Sequence, residues 1–174
     1  MKYFPAWAAL IVLPLVFGSQ GVLGQSPGDL SPYVDAEGTI SLPSGYREWG
    51  YLGTWSIAGD DEEGGAAEFH VVYTKPENIE AYRRTGEFPD GAVLVKELFE
   101  TDTGDLTTGR VSWARRVTGW FVTIKDRRGR FEGHGLWGDG WGWSLFEADD
   151  PATTVTEDYK TECIPCHVPA RNGD

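Results

Sequence analysis

A chain of 174 residues with 27 acidic against 15 basic side chains carries a formal charge of −12. Such a charge repels nucleic acid and anionic membrane surfaces, which removes both from the partners expected. Only two cysteines and three histidines are present, so any metal chemistry rests on very few side chains.

The chain opens on Lys2, runs through apolar Ala6 to Phe17, and turns small and polar before Val22-Leu23-Gly24. That order is the order of a secretory signal peptide, with cleavage expected after Gly24. The apolar run is shorter than the roughly 20 residues a spanning helix needs, so a retained anchor would cross a membrane poorly. No cysteine stands near the cleavage point, which argues against a lipid anchor. The expectation is a leader over residues 1–24 and one domain over 25–174, exported to the periplasm, with no membrane insertion after cleavage. Loss of Lys2 and of no acid makes the mature chain more acidic still.

Gln25 to Ser41, with Pro27, Gly28, Pro32 and Gly38, reads as a loosely ordered lead-in. Ser44 to Trp49 reads as a short helical turn capped by Ser44. Tyr51 to Ala58 reads as a strand, and Gly59 to Gly65 as an acidic solvated turn. Glu68 to Thr74 alternates with period two, setting Phe69, Val71 and Tyr73 against Glu68, His70 and Val72. Pro76 opens a helix over Glu77 to Arg84, closed by Gly86. Ala92 to Glu100, Val111 to Arg116 and Trp120 to Lys125 are strand-like. Gly138 to Phe146 begins as a glycine-rich turn and becomes an aromatic strand, and Thr156 to Cys163 forms a final helix. The pattern predicts a mainly β, α+β fold: an antiparallel sheet with a few short flanking helices.

That helix runs into Cys163-Ile164-Pro165-Cys166-His167, the C-x-x-C-H signature of covalent haem attachment. Two thiols add to the porphyrin vinyl groups, and the adjacent histidine ligates the iron. The competing readings are a disulfide or redox pair, which lacks a βαβ setting, and a zinc site. Zinc would need four ligands, with only His70 and His134 left to complete it. The predicted cofactor is therefore haem c, with His167 on the iron. Methionine is a common second ligand in electron carriers, yet the single methionine is Met1, which would leave with the leader. A second histidine, His70 or His134, or an open iron face remains.

From Gly45-Tyr46-Arg47-Glu48-Trp49 onward the chain resembles the cytochrome P460 and cytochrome c′-β family. The resemblance runs through Val72-Tyr73-Thr74, Tyr82 to Phe88, Asp90 to Leu98 and Glu162 to His167. It implies a largely antiparallel β fold, a homodimer and a five-coordinate c-type haem. Members of the P460 branch oxidise hydroxylamine, ultimately to nitrous oxide. Members of the c′-β branch bind nitric oxide, in sensing or detoxification. A third reading is a bis-histidine electron carrier. The first two act on or bind a small nitrogen species, the third carries electrons with no substrate, and a redox partner protein is expected.

By motif position, the lysine that cross-links to the haem ring in P460 proteins is Lys96. Alternation independently places Lys96 in an apolar row with Ala92, Leu94 and Leu98, where an ordinary ammonium is costly. The alternative is a lysine near the sheet edge paired with Glu97 or Glu100. The resemblance puts His70 in the distal pocket, where a hydrogen bond or proton transfer is its role; a surface histidine is the alternative. It also implies a distal carboxylate relay, Asp158 or Glu157, each equally suited to a helix N-terminus. Trp137, Trp141 and Trp143 read as core packing. Phe69 and Phe99 are candidate apolar caps of the haem face.

Overall fold

The computed structural model describes residues 30–60 and 64–168. The leader expected over residues 1–24 and the middle of the acidic turn lie outside the described residues. β1 (Gly50–Ala58), β2 (Ala66–Thr74), β3 (Val93–Leu106), β4 (Gly109–Lys125), β5 (Trp137–Gly138), β6 (Trp141–Glu147) and β7 (Asp150–Thr154) form one sheet. Its order is β1-β2-β3-β4-β6-β5, with β7 also on β6, and every pairing is antiparallel. Helix α1 (Pro76–Thr85) joins β2 to β3, while α2 (Tyr159–Glu162) and α3 (Ile164–His167) follow β7. The mainly β expectation holds.

Local chemistry explains most boundaries. Pro76 stands in the first turn of α1, where its missing N–H costs nothing, and Gly86 ends the helix at φ 76°, a left-handed conformation open to glycine. The turn before β1 shrinks to one 3₁₀ turn, Tyr46–Glu48, whose cap is Gly45 at φ 70° with no side-chain bond. The predicted Ser44 cap is not made. The segments 111–116 and 120–125 belong to one strand, β4. Against β3 it carries two bulges, which hide the alternation. The lead-in is ordered from Leu30: Leu30, Val34 and Ile40 are buried, and Val34 bridges Ile40.

The sheet has two unlike faces. Val93 and Val95 of β3 point with Val122 and Ile124 of β4 and Phe146 of β6 into the main core. Full burial of each such side chain contributes about 1.5–3 kcal/mol. On the other face the register lines up Val72, Lys96, Phe121 and Leu145 in one row, and Leu94, Thr123 and Trp143 in the next. Trp143, Tyr159 and Cys163 make a second, smaller cluster there, with Trp141 and Ile164 packed against it. Trp137 lies in the main core as expected, whereas Trp141 and Trp143 lie beside the cysteine motif.

Between the faces sits an unpredicted device. Glu97 is fully buried on the core face. It accepts hydrogen bonds from Tyr46 Oη at 2.7 Å and Arg47 Nε at 3.3 Å, and pairs with Arg47 Nη2. Trp120 Nε1 in turn donates to Tyr46 Oη at 2.6 Å. Burial, more than the bond to Glu97, pushes the Tyr46 phenol well above its ordinary value. Tyr46 and Arg47 of the sequence motif are thus the clasp that neutralises a buried carboxylate.

Candidate haem site

The predicted final helix is shorter than expected: Thr156 is not helical, and α2 begins at Tyr159 with Asp158 as its cap. Asp158 Oδ1 accepts the Lys160 N–H at 3.1 Å, and its carbonyl accepts the N–H groups of Thr161 and Glu162. Pro165 is tolerated because it falls in the first turn of α3. Cys163 is buried against the sheet, Cys166 is exposed, and both thiols are free. Burial pushes the Cys163 thiol up to about 11, with Glu162 adding to the shift and Lys96 opposing it. The His167 ring stands edge-on to Trp143, centroids 4.8 Å apart at 72°.

Lys96 rises from β3 toward this motif. Desolvation lowers its ammonium below the usual lysine range, and Cys166, Cys163 and Glu68 partly restore it. Its Nζ lies 4.5 Å from the centre of the Phe121 ring. Neither carboxylate expected to pair with it does so. Glu97 points into the opposite face, and Glu100 binds Arg115 at 3.0 Å and Arg116. Among the described residues Lys96 makes no salt bridge. The site therefore holds a half-buried lysine in an apolar row, within electrostatic reach of both thiols.

Beside the motif opens a cleft of about 730 Å³, lined by Leu94, Thr123, Trp141, Trp143, Ile164 and His167. That volume lies within the range of roughly 300–1,000 Å³ typical of cofactor sites. A haem needs two thiols, an adjacent imidazole and an apolar surface. Cys163, Cys166 and His167 supply the first two, and Leu94, Trp141 and Ile164 of the cleft wall the third, so the donor set fits. Among the described residues no cluster of three His, Cys, Asp or Glu side chains exists that would hold a bare metal ion instead.

The other predicted residues divide. His70 shares the face of Lys96 and Val72, and its Nε2 lies 2.8 Å from Glu68 Oε2. Glu157 is exposed, its N–H donating to Glu162 Oε2 at 3.1 Å. Asp158 and His134 instead line a second cleft of about 550 Å³ with Tyr159 and Trp141. His134 Nδ1 there accepts the Leu136 N–H at 3.1 Å. Phe69 and Phe99 face each other across β2 and β3 on the face of Val95 and Glu97, the wrong side to cap the Lys96 face. The aromatic ring next to Lys96 on its own face is that of Phe121. Glu68 and Phe121 were not anticipated, although the alternation that singled out His70 and Lys96 carries both.

In a comparison with known families, a family model described as Cytochrome P460 aligns with residues 43–174. No curated protein matches the chain.

Proposed function

The chain belongs to the cytochrome P460 family, a family of haem proteins, and on that premise we propose that it is an exported enzyme that oxidises hydroxylamine at a covalently held haem. The observation that carries this reading is Lys96, set in an apolar row over the Phe121 ring, with no salt bridge among the described residues and within electrostatic reach of both thiols of the haem motif.

In this reading Cys163 and Cys166 would hold the haem through thioethers, His167 would ligate its iron, and Lys96 would be the side chain tied to the ring. When bound, the haem supplies the redox-active iron at which the nitrogen substrate gives up electrons. The chain supplies orientation, water exclusion and proton handling. Val72 and Phe121 keep the Lys96 end of the face dry. His70, held through Nε2 by Glu68, would be the side chain that passes a proton to or from the substrate. A homodimer fits the apolar side chains left open beyond His70: Trp55, Ile57 and Trp113 are 55, 40 and 41% exposed.

One observation favours the gas-binding alternative. The Asp158 carboxylate is committed to capping α2, and Glu157 is exposed, so neither predicted relay is poised over an apolar pocket. A nitric oxide-binding protein needs no such relay. Steady-state oxidation of hydroxylamine with an added one-electron acceptor tests the choice. Turnover supports the enzyme, whereas tight nitric oxide binding without turnover supports the binding protein. A low-spin ferric spectrum altered by His70→Ala would instead mark the bis-histidine carrier and remove both.

A further inference from the structure

The sequence stretch Gly138-Asp139-Gly140-Trp141-Gly142-Trp143 supplies no thiol or imidazole to the haem motif, yet it builds an ordered aromatic array beside His167. Trp143 meets His167 edge-on at 4.8 Å, and stacks parallel to Tyr159 at 6.5 Å and 6°. Trp141 lies 6.5 Å from Trp143 and 6.0 Å from Phe88. The array is held rigidly. Trp143 Nε1 donates to the Gly138 carbonyl at 3.1 Å, and a β-carbon at Gly138 would overlap the Tyr159 hydroxyl. Glycine at 138 is therefore the condition for Tyr159 to reach Trp143.

Where the array leads is the informative part. Trp143 and His167 line the cleft beside the haem motif, whereas Tyr159 lines the second cleft, and Trp141 lines both. The array thus connects the proximal ligand with a separate surface opening. Tunnelling through a protein weakens steeply with every gap between bonded groups, so rings in contact form a better bridge than aliphatic packing. Oxidation of a substrate at the haem also requires an exit for electrons that does not compete with substrate for the open face. Lys125 Nζ, 4.4 Å from the centre of the Trp141 ring, disfavours a cation on that indole. Lys160 Nζ stands farther from the Tyr159 ring, at 5.8 Å, and Tyr159 lies nearly parallel to Trp143 where Trp141 is tilted by 53°, which makes Tyr159 the better outlet.

We propose that Trp143 and Tyr159 form the electron exit from the His167 side of the haem to the second cleft, where a one-electron acceptor is reduced. One electron leaves ferrous iron, which becomes ferric, and the acceptor gains that electron. No bond forms or breaks, and no proton moves, because the rings serve as bridging orbitals. The inference rests on the covalent haem and His167 ligation of the reading above, and not on the identity of the substrate.

The test uses the full haem-loaded protein with a photo-oxidisable ruthenium complex attached at Lys160→Cys, on the rim of the second cleft. Flash oxidation of the ferrous haem is timed in the parent, in Trp143→Leu, in Trp143→Phe and in Tyr159→Leu. Reduction potential and the ferric spectrum are recorded for each variant to separate the route from the driving force. The expected result is a rate loss of about tenfold in Trp143→Leu and in Tyr159→Leu, with Trp143→Phe recovering most of it, at unchanged potential. Unchanged rates in both leucine variants would overturn the proposal. If Trp143→Leu disturbs His167 ligation, Tyr159→Leu, which leaves the Trp143–His167 contact in place, decides alone. A parent protein with fast flash oxidation and no hydroxylamine turnover would retire the substrate reading while leaving the route standing.

Discussion

The two faces of the sheet solve opposite problems with adjacent residues of β3. Glu97, on the core face, is a fully buried charge satisfied by Tyr46 and Arg47. Lys96, on the cysteine face, is a half-buried charge that lies over the Phe121 ring and makes no salt bridge among the described residues. The difference teaches which charge the fold needs and which it tolerates. A compensated buried charge serves the structure, and an uncompensated one marks the site where chemistry is still to occur.

Substitution should divide these roles. Glu97→Ala leaves the Tyr46 hydroxyl and the Arg47 guanidinium without their acceptor and opens a void. Because Arg47 is 60% exposed and rehydrates, the expected cost is about 2–3 kcal/mol rather than that of a wholly buried pair. Lys96→Met should change stability by less than about 1 kcal/mol, since it exchanges a desolvated ammonium for an apolar chain of similar length. Chemical denaturation of both variants checks the contrast, and equal losses would dissolve it.

The second cluster offers a sharper cut. Gly138→Ala should destabilise by about 1–3 kcal/mol through overpacking against Tyr159, and should loosen α2 before it loosens the main core. Hydrogen exchange resolves the two regions, and uniform loss of protection would contradict their independence.

At the end of β4 the core face is tied to the lead-out loop by Asp126, Arg130 and Asp90. Arg130 donates to Asp126 Oδ1 at 2.6 Å and to Asp90 Oδ2 at 2.5 Å. The bond from Arg130 holds the Asp90 carboxyl below the usual carboxylate range, against a smaller opposing effect of burial. A depressed folded value means stability that is present above the unfolded carboxylate range and is lost as pH falls through the folded value. Arg130→Met should therefore flatten the acid limb of a stability–pH curve, and an unchanged limb would assign that limb to other carboxylates.

The smallest expected effect lies at the outer edge. Trp55 is 55% exposed on edge strand β1, so Trp55→Ser should alter monomer stability by no more than about 0.5 kcal/mol. If the proposed homodimer uses this patch, sedimentation should show weaker association in that variant.

Much of this was readable from residue order. The haem motif, the proline and glycine bounds of α1, and the Lys96 row all follow from short-range chemistry. The clasp on Glu97 was equally latent, because the alternation that aligns Lys96 with Leu94 also aligns Glu97 with Val93 and Val95. What alternation cannot supply is the partner: Tyr46 and Arg47 arrive from 51 and 50 residues away. The unity of β4 was hidden by its bulges and by the run Arg115-Arg116, whose charges break the apolar period. Asp158 was ambiguous by nature, since a helix cap and a proton relay call for the same side chain.

The most direct test of the central claim, that Lys96 and the haem motif converge on one cofactor, is peptide mass mapping of the intact haem-loaded protein after denaturation and proteolysis. The account predicts one species in which the Lys96 peptide and the Cys163–Cys166 peptide are joined through a single haem. A haem carried by the cysteine peptide alone, with the Lys96 peptide recovered unmodified, would contradict it.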